Sequence, residues 1–81
     1  MLYELANDNK FVGLKQSSRA IMEGMTIKNA YIARDADEKV KTPFLALCSK
    51  NKINVVWVDS MAQLGEACGI SVGAAIAVTM I

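Results

Sequence analysis

Two stretches of this chain, Ile53 to Val58 (Ile-Asn-Val-Val-Trp-Val) and Val72 to Ile81, are nearly continuous runs of apolar residues, many of them β-branched. A strand apolar on both sides of its pleat must be covered on both faces, and that requirement limits the fold more than any other feature. The runs alternate with segments of helical spacing, so the cover is made of helices. The expectation is an α/β fold: a three-layer α/β/α sandwich around a mixed sheet of about four strands.

The remaining elements follow from local pattern. Leu2, Tyr3, Leu5 and Ala6 predict a brief amphipathic N-terminal helix, and Phe11-Val12-Gly13 a short strand. Lys15 to Met22 reads as a helix closed by Glu23-Gly24, and Ile27 to Ala33 as a strand centred on Tyr31 and Ile32. Asp35 to Lys41 is a polar connection, after which Thr42-Pro43 reads as N-cap and first helical residue. Phe44, Leu47 and Cys48 then share a helix face at i, i+3 and i+4. Ser60 opens a further helix with Met61, Leu64 and Cys68 on one side and Gly69 at C′, and Val72 to Ile81 is the last strand. Trp57 is expected to pack under a helix, Cys48 in the core, and Cys68 partly exposed. The glycines at 65, 69 and 73 read best as caps.

Composition removes several function classes. At 81 residues the chain is expected to be one domain, 1–81. Nine Lys or Arg against eight Asp or Glu give a net charge of +1, so polyanion binding must be local and geometric, not a matter of bulk charge. No histidine means no imidazole base and no imidazole metal ligand. Cys48 and Cys68 are too few for a zinc site or a disulfide framework. Neither a signal-peptide core nor a membrane span is visible, so the expected compartment is the cytoplasm. The expectation is a protein without cofactor, metal or catalytic role, and nothing in the sequence demands a dimer.

Two segments break local rules. In Gly13-Leu14-Lys15-Gln16-Ser17-Ser18-Arg19, a helix start that favours acidic residues carries Lys15, with Arg19 on the same face at i+4. An anion placed there reverses both penalties. Free first-turn amides, a glycine and two cations suit a phosphate, and the Gln16 amide suits a base edge. On charge pattern alone the plainer reading is a solvated helix face, with Gly13 ending a strand. In the second segment, Leu64-Gly65-Glu66-Ala67-Cys68-Gly69-Ile70-Ser71-Val72-Gly73-Ala74, branched aliphatics follow the Gly69 cap among small residues, as in a loop that packs on an RNA base face or a groove. From spacing alone, Ile70 and Val72 instead begin the last strand and point into the core.

The two segments in this order resemble the kink-turn RNA-binding family of archaeal and eukaryotic ribosomal proteins of the L-seven-Ae type, and most of all its short bacterial branch. The likeness runs from Val12 onward, through Gly13-Leu14-Lys15-Gln16 with Arg19, Tyr31-Ile32-Ala33-Arg34-Asp35-Ala36-Asp37, and Leu64-Gly65-Glu66-Ala67-Cys68-Gly69-Ile70 with Val72. The resemblance implies a non-enzymatic protein bound to a kink-turn, a sharply bent internal loop with tandem sheared G·A pairs, in ribosomal RNA or a messenger leader. It assigns Gly13, Leu14, Lys15, Gln16 and Arg19 to the G·A bases and nearby phosphates, and Ile70, Ser71 and Val72 to the flipped-out nucleotides. Ala62, Gln63 and Glu66 stand where relatives often carry cations, which implies weaker, more salt-sensitive binding. Two other readings stay open: a small anion- or nucleotide-binding regulatory domain using the Gly13 to Arg19 helix start, and a protein-interaction module using the Ile70 and Val72 loop.

Overall fold

The computed structural model describes Leu5, Ala6 and residues 9–81. Four strands and three helices alternate over them: β1 (Lys10–Val12), α1 (Leu14–Met22), β2 (Ile27–Ala33), α2 (Glu38–Lys50), β3 (Val55–Val58), α3 (Met61–Cys68) and β4 (Ile76–Met80). Of the expected N-terminal helix, Leu5 and Ala6 are helical, while Leu2 and Tyr3 lie outside the described residues.

The strands form one mixed sheet in the order β1-β4-β2-β3. β4 pairs antiparallel with both β1 and β2, whereas β2 and β3 run parallel. A parallel pair needs a crossover, and α2 supplies it. The pleat then sorts side chains to two faces. Ala30 and Ile32 of β2 and Ile76 and Val78 of β4 pack with Ala20, Ile21, Phe44 and Cys48, beneath α1 and α2. Tyr31, Ala33 and Ala77 point the other way, onto Leu5, Leu64 and Cys68. The three-layer α/β/α architecture expected from the two apolar runs is therefore the one observed.

Several boundaries differ from expectation. Thr42-Pro43 does not open α2; Asp37 does, its carboxylate accepting the Lys39 amide at 2.8 Å, and Pro43 lies inside the helix. A strong cap with Glu38 in the first turn holds the helix despite the donor that Pro43 removes. The last strand begins at Ile76, not Val72, because the backbone before it folds back onto α3. Trp57 is 39% exposed on the edge strand β3, not covered by a helix. Cys68 is buried, not partly exposed.

The topology brings four chain segments to one edge of the sheet. β1 ends beside the start of β4, where the Gly13 amide donates to the Ile76 carbonyl at 2.8 Å. β2 ends there too, the Ala33 amide donating to Ala75 O at 2.9 Å and the Arg34 amide to Val58 O at 2.8 Å. Ligands of open α/β sheets bind at the carboxyl ends of parallel strands, and β2 and β3 end at this edge.

Candidate nucleic-acid interface

The start of α1 is the least satisfied helix end in the described residues. Gly13 is the N-cap at φ 100°, ψ 156°, no side chain caps the helix, and its first turn has no acidic residue. The first amide with a helical partner is Ser17, which donates to Gly13 O at 3.0 Å, so the amides of Leu14, Lys15 and Gln16 have none within the helix. A Cβ at Gly13 would meet no atom within 4 Å; the glycine is needed for its backbone conformation, not for space. By contrast, α3 is capped twice, by Ser60 Oγ accepting from the Gln63 amide at 3.1 Å and by Asp35 Oδ1 accepting from the Met61 amide at 2.8 Å.

Lys15, Gln16 and Arg19 are all exposed. Leu14 is half-buried and packs against the α1–α2 side of the core, so its side chain points inward. Ser17, fully buried, donates to Phe11 O at 3.4 Å and ties the helix to β1. Gln16, Arg19 and Ala20 flank a groove of about 220 Å³ floored by Phe11 and Met25, with Glu23 on the same helix flank. An apolar floor edged by a guanidinium and a primary amide can take a flat ring and bond its rim.

The second segment is a loop, not a strand. Gly69 ends α3 in the left-handed region at φ 79°, and the Ile70 amide donates to Gly65 O at 3.1 Å. The chain then turns back along the helix, and the Ala74 amide donates to Met61 O at 3.0 Å. Its path crosses Gly65, where a Cβ would fall on the Val72 carbonyl. Gly73 lies against Met61 in the same way. Only Gly69 of the three glycines is a cap; the other two let a loop and a helix touch. With its backbone held, the loop leaves Ile70 38% and Val72 69% exposed, and Ser71 is exposed between them. Glu66 and Ala62 of α3 line the depression of about 290 Å³ beside these side chains.

Arg34, which is not among the site residues expected from the sequence, stands at the same sheet edge. Its guanidinium lies 5.6 Å above the Trp57 ring and 3.6 Å from Asp59 Oδ1, with both charged groups largely exposed. Lys41 Nζ donates to Arg34 O at 2.6 Å and pairs with Glu38 at 3.0 Å, which fixes the turn. The available signal was a cation directly after the apolar end of β2.

The edge thus combines a bare, cationic helix start with an apolar loop, joined through the bond from Gly13 to Ile76. The two thiols are chemically quiet: both are buried, which pushes Cys48 up to about 11 and raises Cys68, the latter partly offset by Lys10. No helix among the described residues is long and apolar enough to cross a membrane.

An RNA-binding protein of Caldanaerobacter subterraneus subsp. tengcongensis is 39% identical over 72 residues, covering 89% of this chain and 87% of the relative. One from Halalkalibacterium halodurans is 42% identical over 64 residues, 79% of this chain and 77% of the relative. Among solved structures, a protein with unknown function from Bacillus halodurans C superposes with a TM-score of 0.87 at 21% identity, over 99% of this chain and 83% of the other. The Giardia lamblia 15.5kD RNA binding protein does so at 0.84 and 22% identity, over 99% and 68%, and at such identities the likeness is one of fold. Residues 4–81 match a family pattern, and the chain belongs to the ribosomal protein L7Ae/L30e/S12e/Gadd45 family.

Proposed function

We propose that the chain is a non-enzymatic RNA-binding protein that recognises kink-turns, and that it uses both segments at the sheet edge together. The observation that carries this reading is the 2.8 Å bond from the Gly13 amide to Ile76 O, which sets the uncapped start of α1 beside the chain leaving the apolar loop. In this reading Lys15 and Gln16, with the amides of Leu14, Lys15 and Gln16 that follow Gly13, meet sheared G·A edges and an adjoining phosphate. Arg19 reaches a base edge or phosphate, and Ile70, Ser71 and Val72 cover the nucleotides splayed out at the bend. The names of the bacterial relatives support RNA as the ligand.

A kink-turn is a shape as well as a sequence. A protein that contacts both the G·A pairs and the extruded nucleotides binds the bent form better than the extended one, and shifts the RNA toward it by that difference in affinity. Single-site contact with phosphate would not discriminate. The net charge of +1 leaves little non-specific attraction, and Glu66 beside the loop reduces it further. We read the protein as acting as a monomer in the cytoplasm, on ribosomal RNA or a messenger leader.

The test is a titration against a labelled kink-turn RNA and the same RNA with its G·A pairs replaced, at two salt concentrations. Preference for the intact kink-turn at both salts supports the reading. Equal affinity for the two RNAs refutes shape recognition.

A further inference from the structure

At the opposite end of the sheet, where β2 and β3 begin, lies a groove of about 340 Å³. Lys28 at the start of β2 and Lys52 after α2 line it, with Asn51, Asn54, Gly24 and Met25. No acidic side chain among the described residues does so; Glu23, the nearest in sequence, lines the groove beside Arg19. Lys50, in the last turn of α2, is a further cation two residues before Lys52 in the chain.

Cations near a helix C-terminus have an ordinary reason, because they complement the helix dipole. Lys52 is not accounted for that way. It is the one non-glycine residue with positive φ among the described residues, at φ 55°. A side chain there is strained where glycine would not be. The helix end is also already closed without its charge: the Asn51 side chain donates to Leu47 O at 2.9 Å, and the Lys52 amide, which any residue but proline supplies, donates to Ser49 O at 3.2 Å. The chain thus keeps an ammonium group at a strained position beside a groove that no acidic side chain of the described residues lines.

We propose that this groove is a second RNA-contacting surface, which takes the phosphodiester backbone of a helical segment other than the one at the Gly13 edge. The class of partner rests on the function proposed above. Lysine ammonium groups serve phosphates as point charges. The Asn51 and Asn54 side chains each use one amide hydrogen internally, Asn54 donating to Asn29 Oδ1 at 2.8 Å. A primary amide has a second N–H and a carbonyl oxygen, which suit a ribose 2′-hydroxyl. With contacts at both ends of the sheet, the protein bridges two helices of one folded RNA.

The experiment compares the wild type, the double variant Lys50→Gln/Lys52→Gly and the double variant Lys15→Ala/Arg19→Ala. Each is titrated against a minimal kink-turn RNA and against a short straight RNA duplex over a range of salt, with thermal unfolding as the fold control. Lys52→Gly relieves the strained φ, so the first variant unfolds no earlier than wild type. The expected result is that it loses about two units of salt slope on the duplex and keeps its affinity for the minimal kink-turn. The Lys15/Arg19 variant shows the reverse. An unchanged salt slope on the duplex overturns the proposal, as does an equal loss on both RNAs. If the wild type ignores the kink-turn yet binds the duplex through Lys50 and Lys52, the function proposed for the Gly13 edge falls and the second surface stands.

Discussion

The Gly13 amide donates to the Ile76 carbonyl at 2.8 Å, and this one bond ties together two parts of the site more than fifty positions apart in the chain. Gly13 caps the helix that presents Lys15, Gln16 and Arg19. Ile76 is the first residue of β4, directly after the loop that exposes Ile70 and Val72. Antiparallel pairing of β1 with β4 makes the arrangement a property of the sheet and not of either segment alone.

Lys15 and Arg19 are exposed and make no ion pair among the described residues. Replacing either by alanine is expected to cost about 1–3 kcal/mol of RNA affinity if it makes a directed contact. The unfolding midpoint should stay within about a degree or two, because surface substitutions usually shift stability by less than about 0.5 kcal/mol. Paired isothermal titration and thermal melts separate the two effects.

Val72→Asp and Ile70→Asp test the loop. With Val72 69% and Ile70 38% exposed, neither substitution buries a charge in the core. Each is expected to weaken RNA binding by about 1–3 kcal/mol, through lost apolar contact and repulsion of phosphate, while the protein stays folded. A large fall in melting temperature with unchanged binding would return these side chains to the core.

This loop is also where the sequence was hardest to read. Val72 to Ile81 has the composition of one long strand, and composition does not reveal that Val72 O must pass over Gly65. The signal lay in Gly65, whose mid-helix position is poor for a cap and apt for a close approach. The start of α2 was hidden differently: Pro43 is a frequent first helical residue, but Asp37 with Glu38 makes the stronger helix signal, and the polar run around them looks like a turn. Trp57 was misplaced because an apolar run does not say which strand lies at the sheet edge. Cover on both faces, in contrast, was legible from the apolar runs, and the structure supplies it: Tyr31 and Ala33 face α3, Ala30 and Ile32 face α1 and α2. The cationic helix start was legible too, because an uncapped N-terminus with lysine in its first turn contradicts the dipole within a few residues.

Gly65→Ala isolates the loop's support. The added methyl would collide with the Val72 backbone carbonyl, which cannot rotate aside as a side chain can. Overpacking of this kind costs about 1–3 kcal/mol, against a helix-propensity gain of about 1 kcal/mol. The expected outcome is a net loss of stability in urea titrations. RNA affinity should fall with it, since the loop must lift away from α3.

Burial pushes the Cys48 thiol up from 9.0 to about 11. The unfolded chain therefore ionises first as pH rises, and releases a proton that the folded chain keeps. Stability contributed by this group is complete below pH 9 and is lost progressively between 9 and about 11. Denaturant titrations across that window should show a decline that Cys48→Ala diminishes, and thiol reagents should react with native protein only through opening of the fold.

The most direct test of joint recognition is the end-to-end distance of a kink-turn RNA carrying a donor and an acceptor dye on its two arms, measured as protein is added in buffer without divalent ions. The arms are expected to close on addition of wild-type protein, closure is lost when the G·A pairs are replaced, and either Lys15→Ala or Val72→Asp raises the protein concentration needed. Saturable binding with no change in distance, or equal closure of both RNAs, would contradict joint recognition.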